Sequence, residues 1–167
     1  QTIEDSRTWV REGAMRELIH VYKFEHRKYL KYFFTRMVKE FIQSHLSTEV
    51  FEMVLPVPAG PEKRLERGFN PPELISKEIA KDLRLPHRPA ELLRTRSESS
   101  QALLAKPGRK KNVKGAFSVK HRNSLHSKRL LLIDDILTTG ETASECARAL
   151  KNAGAASVTV LALARGA

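Results

Sequence analysis

Between residues 27 and 46 the apolar positions are Leu30, Phe33, Phe34, Met37, Val38, Phe41, Ile42 and Leu46. Steps of three and four predict an amphipathic helix with its apolar face in a core. A shorter helical pattern around Arg11 to Val21 precedes it. "EMVLPVP", Glu52 to Pro58, reads as a short buried strand stopped by prolines. "NPPELISKEIAKDL" follows, with Asn70 as helix N-cap, Pro71 and Pro72 in the first turn, and Leu74, Ile75, Ile79 and Leu83 on one face. "AELL" near Leu93 predicts another strand. Arg94 to Lys114 is polar and keeps no period, the mark of a functional or mobile loop. "GAFSV" and "KRLLLIDD" predict two further strands. Beyond them Cys146, Ala147 and Leu150 fall at helical spacing, Gly154 stands at the helix stop, and "SVTVLALA" is a last strand. Strand, helix and strand in such short compass make a parallel crossover unit. The predicted class is α/β, a central, mostly parallel sheet flanked by helices.

Composition narrows the partners more than the fold. A chain of 167 residues, 41% apolar and 29% charged, is of the size and make-up of one globular domain. The formal net charge of +11 favours polyanions: nucleic acid, an anionic membrane or phosphorylated small molecules. A basic surface that only aids solubility is the plain alternative. Cys146 is the one cysteine, which excludes a disulfide framework or a cysteine-rich zinc site within this chain and points to a reducing, cytoplasmic setting. The longest apolar run, Val158 to Ala164 with Thr159 inside it, falls far short of the roughly 20 residues of a membrane helix, so no membrane insertion is expected. The first residues, with Glu4, Asp5 and Arg7, lack the apolar core of a signal peptide.

The chemistry concentrates in "LLLIDDILTTGET". Leu130 to Ile133 form a strand, Asp134 and Asp135 stand at its exit, and Thr138, Thr139, Gly140, Glu141 and Thr142 lead into the next helix. Ligands of open parallel sheets bind beyond the carboxyl ends of the strands. Unpaired N–H groups and the dipole at a helix start attract phosphate, and Gly140 lets the backbone come close to it. Two carboxylates beside a phosphate site fit a phosphorylated sugar, whose vicinal hydroxyls donate to the acids or share a Mg²⁺ with them. A capping box between Thr138 and Glu141 is the competing explanation. It leaves the acids unexplained, because adjacent desolvated carboxylates repel. No G-x-x-x-x-G-K-[ST] loop and no G-x-G-x-x-G turn occurs, which sets aside the P-loop and the usual dinucleotide fingerprint. The six histidines show no H-E-x-x-H spacing, and Cys146 sits on the apolar helix face.

"LLLIDDILTTGET" resembles the phosphoribosyl-pyrophosphate (PRPP) signature of the type I phosphoribosyltransferase fold. With "PVP", "RLERGFN", "LLRTR", "SQALL", "GRKKNVKGAF" and "GAASVTVLALAR" in order, the chain from Met53 to Arg165 resembles one branch, the ComF competence family with its GntX-like members. The resemblance implies that Asp134 and Asp135 face the ribose hydroxyls and Mg²⁺, directly or through water. It implies that Thr138 to Thr142 cradle the 5-phosphate, and that the loop after "PVP", with Arg64 and Arg67, binds pyrophosphate. It puts Arg94, Gln101, Arg109 and Asn112 in a mobile hood over the site, with residues 94–114 as a flexible loop and residues 1–48 as helices packed on a single domain. Lys23 in "VYKF" resembles a recurring family lysine, with no role that the residues reveal. Pro71 stands where the family often has Gln. Full-length members commonly begin with a four-cysteine zinc module that is missing here. With no initiator Met at Gln1, the chain is either a trimmed piece or a member without the module.

The reaction so implied is displacement of pyrophosphate from C1 of PRPP by an unknown acceptor, with Mg²⁺ and no covalent nucleophile. A second reading stands beside it: a module that senses a nucleotide, or binds single-stranded DNA among other DNA-uptake proteins. "GRKKNVK" and "KHRNSLHSKR" favour that reading. Single-strand binding also needs stacking aromatics, and those of the N-terminal helices are expected in the core.

Overall fold

A computed structural model describes residues 7–8, 12–25, 27–46, 51–95 and 113–165. A two-residue strand β1 (Arg7–Thr8) is followed by helices α1 (Glu12–Phe24) and α2 (Leu30–His45). Strand β2 (Met53–Pro56), a short helix α3 (Pro61–Arg67) and helix α4 (Pro71–Leu83) come next. Strands β3 (Leu92–Arg94) and β4 (Phe117–Val119) and a single turn α5 (Arg122–Leu125) lead to β5 (Arg129–Leu137), α6 (Glu141–Asn152) and β6 (Ser157–Arg165). The main sheet is wholly parallel in the order β1-β6-β5-β2, while β3 and β4 form a separate antiparallel pair. This is the expected α/β architecture, with the antiparallel pair as an addition.

The apolar run of β5 is continuous because both faces of the strand are covered, as in buried parallel sheets generally. Leu131 and Ile133 face a core built from α1, α2 and α4, together with Val54, Leu161 and Leu163. Leu130 and Leu132 face the other core, with Met53, Leu55, Val160 and Ala162 and, from α6, Ala143, Cys146 and Leu150. Successive strand residues thus serve opposite layers. The strand also runs further than expected. It stays in register with β6 through Asp134↔Ala162 and Ile136↔Ala164 to Leu137↔Arg165, past the end of β2, whose last pair is Pro56↔Ile133. The two aspartates are therefore strand residues.

Three further sequence expectations change. Residues 61–67, taken as loop, form α3, with proline in its first turn and Gly68 in the left-handed conformation that closes it. The α2 stripe is wider than the core it meets: Phe34, Val38, Phe41 and Ile42 are buried, but Phe33 is 45% exposed beside exposed Tyr29 and Tyr32. Asn70 occupies the N-cap position of α4 without capping it. Its buried side-chain amide instead donates to the carbonyl oxygen of Val57 at 3.0 Å, tying the start of α4 to the turn that leaves β2. The 94–114 segment lies mostly outside the described residues, and Gln101, Arg109 and Asn112 fall within that part.

The Asn70 contact separates two roles by experiment. As an N-cap, Asn70→Asp is neutral or stabilising, since both residues cap well and a carboxylate suits the helix dipole. Against the Val57 carbonyl the carboxylate loses the donor and is repelled, so Asn70→Asp is expected to cost about 1–2 kcal/mol in urea denaturation.

Candidate functional site

The exits of β2 and β5 lie side by side, since the Val57 N–H donates to the Ile133 carbonyl at 2.8 Å just beyond the last pair. A cleft of about 260 Å³ opens there. Its walls are the Val57–Gly60 turn, the Asp134–Thr138 strand tip, and Gly140, Thr142 and Ala143 at the start of α6. Asn70 and Pro72 at the start of α4, with Lys23 of α1, Lys63 and Arg67 of α3, and Arg94 of β3, complete the lining. Four cationic side chains from three separate elements face the two carboxylates.

Alternation sends the two aspartates toward different layers. Asp134 follows Leu130 and Leu132 toward α6 and is 6% exposed. Its carboxylate accepts the Asp135 N–H at 2.8 Å. Burial first, and the neighbouring Asp135 second, push the Asp134 carboxyl up to about 7, against that N–H and the charges of Lys23 and Lys63. Cys146 on α6 is raised by its own burial and then by Asp134. Asp135 follows Leu131 and Ile133 toward α1. One of its oxygens accepts the Ile136 N–H at 2.7 Å and the other meets Lys23 Nζ at 2.7 Å. Tyr22, one residue before Lys23, has its hydroxyl raised by burial and then by Asp135. The pair of acids is tolerated because the residues point apart and one of them keeps a proton near neutrality.

At the entry to α6, Gly140 holds a left-handed φ of 76°, which a side-chain-bearing residue adopts only with strain. It occupies the N-cap position with no side-chain cap, and Glu141 is the first helical residue. Thr138 is therefore out of place for a capping box. The hydroxyl of Thr139 accepts a long bond from the Glu141 N–H, 3.4 Å. The turn is thus open to an anion through the N–H groups of the first helical turn, which have no intrahelical partners. Thr138, Gly140 and Thr142 line the cleft; Thr139 and Glu141 are exposed outside its lining.

The basic residues divide by helical register. Lys63 and Arg67 are four apart on α3 and share the face turned to the cleft. Arg64 is a step away, 64% exposed and 3.7 Å from Glu73, and is not among the lining side chains. Lys63 takes the place that the sequence reading gave Arg64. Reading Gly60-Pro61 as a helix start was the signal that would have found it. Arg94 lies along Gly60, whose backbone it covers closely enough that an added Cβ would stand 3.8 Å from it, with its guanidinium 5.6 Å from the Phe117 ring centre. Arg67 places its guanidinium 4.9 Å from the ring centre of Phe24, and its Nε is buried without a hydrogen-bond partner. Arg109 lies outside the described residues. Among the described residues no group of three or more His, Cys, Asp or Glu side chains gathers to hold a metal. Asp134 and Asp135 could hold Mg²⁺ only together with oxygens of a ligand.

A parallel sheet with an acidic strand tip, an uncapped helix start and a basic wall around one cleft is the architecture of a phosphoribosyltransferase-type fold. Residues 75–167 match the phosphoribosyl transferase domain model, and the chain belongs to that family. Its relatives lie in the ComF branch. It is 28% identical over 153 residues to Competence protein F of Haemophilus influenzae, covering 89% of this chain and 66% of that protein. It is 30% identical over 152 residues to DNA utilization protein YhgH of Salmonella typhimurium, with the same coverage of 89% and 66%. The chain therefore spans 66% of the length of these relatives. Among solved structures, the glutamine PRPP amidotransferase of B. subtilis superposes with a TM-score of 0.51 at 21% identity, over 77% of this chain and 25% of that one, a likeness of fold. No helix among the described residues is long and apolar enough to cross a membrane.

The raised Asp134 carboxyl has a testable sign. The folded protein keeps a proton that the unfolded chain releases near its ordinary value, so this contribution is complete at acid pH and is lost as pH rises toward the folded value. Without ligand or metal, the wild type is expected to lose about 2 kcal/mol more stability than Asp134→Asn between about pH 5 and about pH 7, read by urea denaturation.

Proposed function

We propose that the cleft binds PRPP, or a closely related phosphorylated ribose, and that the protein transfers the phosphoribosyl group to an acceptor. The observation that carries this reading is the convergence of Asp134, Asp135, the turn into α6 and four basic side chains on one cleft at the strand tips. Asp134 and Asp135 accept hydrogen bonds from the ribose hydroxyls. The 138–142 turn and the first N–H groups of α6 hold the 5-phosphate. The Val57–Gly60 turn with Lys63, Arg67 and Arg94 receives the pyrophosphate, where guanidinium groups match phosphate oxygens in pairs. Asp134 and Asp135, with oxygens of the ligand, would hold Mg²⁺, whose chemistry there would be to screen the charge of the leaving group.

The chain's own part in the chemistry is orientation and charge stabilisation. The acceptor's lone pair bonds to C1 as the C1–O bond to pyrophosphate breaks. Pyrophosphate leaves with both electrons and the acceptor gives up its proton to water. Cys146 is fully buried beneath the site and takes no part.

A second reading has its own observation. Phe24, Tyr29, Tyr32 and Phe33 are exposed on α1, α2 and the link between them, among exposed Arg27, Lys28 and Arg36. The Lys31 ammonium lies 4.7 Å from the ring centre of Tyr32. Aromatic faces interleaved with cations are what single-stranded nucleic acid needs, and the names of the relatives, competence and DNA utilization, agree with it. The two readings use adjoining surfaces, which meet where Arg67 of the cleft lies on Phe24, and are compatible in one protein.

Two measurements test these readings separately. Calorimetry with PRPP and Mg²⁺ is expected to give binding to the wild type and a loss of about tenfold or more in Asp135→Asn; no heat from the wild type rejects the sugar-phosphate site. Fluorescence anisotropy with an oligo-dT strand is expected to give salt-dependent binding, weakened about tenfold or more by Tyr29→Ala with Tyr32→Ala and unchanged by Asp135→Asn.

A further inference from the structure

Lys23 lies outside residues 75–167, which match the family model, yet it lines the cleft and touches the acidic pair. Its place is tightly set. Tyr22 before it packs its ring against Phe34 and Phe69, with centroids 5.3 and 5.6 Å apart, and donates its hydroxyl to the Pro71 carbonyl at 3.4 Å. Phe24 after it carries the guanidinium of Arg67. Between these anchors the Lys23 ammonium meets Asp135 at 2.7 Å, and each side chain is only 13% exposed.

With Ile136 N–H on its other oxygen, Asp135 has both oxygens engaged in the free protein. A ribose hydroxyl or a divalent cation arriving there must share the carboxylate with Lys23 or displace it. An ammonium has three donors. One serves Asp135, which leaves two for oxygens within the cleft that the side chain lines. The cleft also carries more cations than acids, Lys23, Lys63, Arg67 and Arg94 against Asp134 and Asp135. Such a lining suits a polyanion whose charge is met largely by side chains.

Resting on the sugar-phosphate reading, we infer that Lys23 is a ligand-binding residue: counter-ion of Asp135 in the free protein and, in the complex, a bridge from Asp135 to a phosphate oxygen of the ligand. It thereby supplies, beside Asp135, part of the charge compensation that a divalent cation would otherwise provide there. The helix α1 is then part of the binding site, and the segment matched by the family model is incomplete as a site without it.

The test is calorimetry with PRPP in EDTA and again in saturating Mg²⁺, on the wild type, Lys23→Gln and Lys23→Arg. Removing Mg²⁺ is expected to weaken the wild type and Lys23→Arg about tenfold or less, and Lys23→Gln about a hundredfold or more. A variant that is merely loosened loses affinity equally in both buffers; that result, or unchanged affinities, overturns the inference. On the wild type, PRPP in EDTA is expected to slow acetic anhydride labelling of Lys23, but not of exposed Lys77, as read by mass spectrometry. Unchanged labelling of Lys23 under saturating ligand overturns the inference even if Lys23→Gln does not fold. No heat from the wild type in either buffer rejects the sugar-phosphate reading, and the role of Lys23 with it.

Discussion

β5 is covered on both faces, by α1, α2 and α4 on one side and by α6 with the small antiparallel pair on the other. A strand in that position can carry polar side chains to solvent only at its tip, past the end of the neighbouring β2. Strand geometry then turns two adjacent aspartates toward opposite layers, so that each meets a different environment. Asp135 finds a cation, Lys23, supplied by α1. Asp134 finds the buried shoulder of α6 and meets its desolvation by retaining a proton near neutrality. Both devices answer the same constraint, since a carboxylate removed from water must be paired or neutralised.

The cleft is assembled from distant parts of the chain because one element cannot present enough charge to one point. α1 contributes Lys23, α3 contributes Lys63 and Arg67, β3 contributes Arg94, and the β5–α6 junction contributes the acids and the helix start. Asn70 helps to hold these parts in relation, since its amide bond to Val57 ties the turn after β2 to α4. That turn forms one wall of the cleft. A packing contact of the fold is thus also a determinant of the site's shape.

The N-terminal helices have two faces with separate consequences. Ile19, Tyr22, Phe34, Val38 and Ile42 enter the core beside β5 and β6. Phe24, Tyr29, Tyr32 and Phe33 remain at the surface among basic residues. An apolar stripe wider than the sheet it covers leaves part of itself to solvent, and exposed aromatics grouped with cations are more often recognition surface than accident.

Much of this was legible in the residues. Periodicity of three and four identified α2 and α4, the continuous apolar runs identified β5 and β6, and the run from Leu130 to Thr142 located the acidic strand tip and the glycine turn into α6. These are local signals, set by which side chains a helix or buried strand can bury. The sequence could not say that β5 continues to Leu137, because that depends on pairing with β6. Nor could it say that Asn70 bonds Val57 in place of its own helix, or that Lys63 faces the cleft while Arg64 faces Glu73. It singled out Lys23 without a role, since the partner of that ammonium is more than a hundred residues away along the chain. Patterning determines what each segment becomes; which charges meet is decided only when separate segments are packed, because electrostatic contact depends on distance in space and the chain encodes only distance along itself.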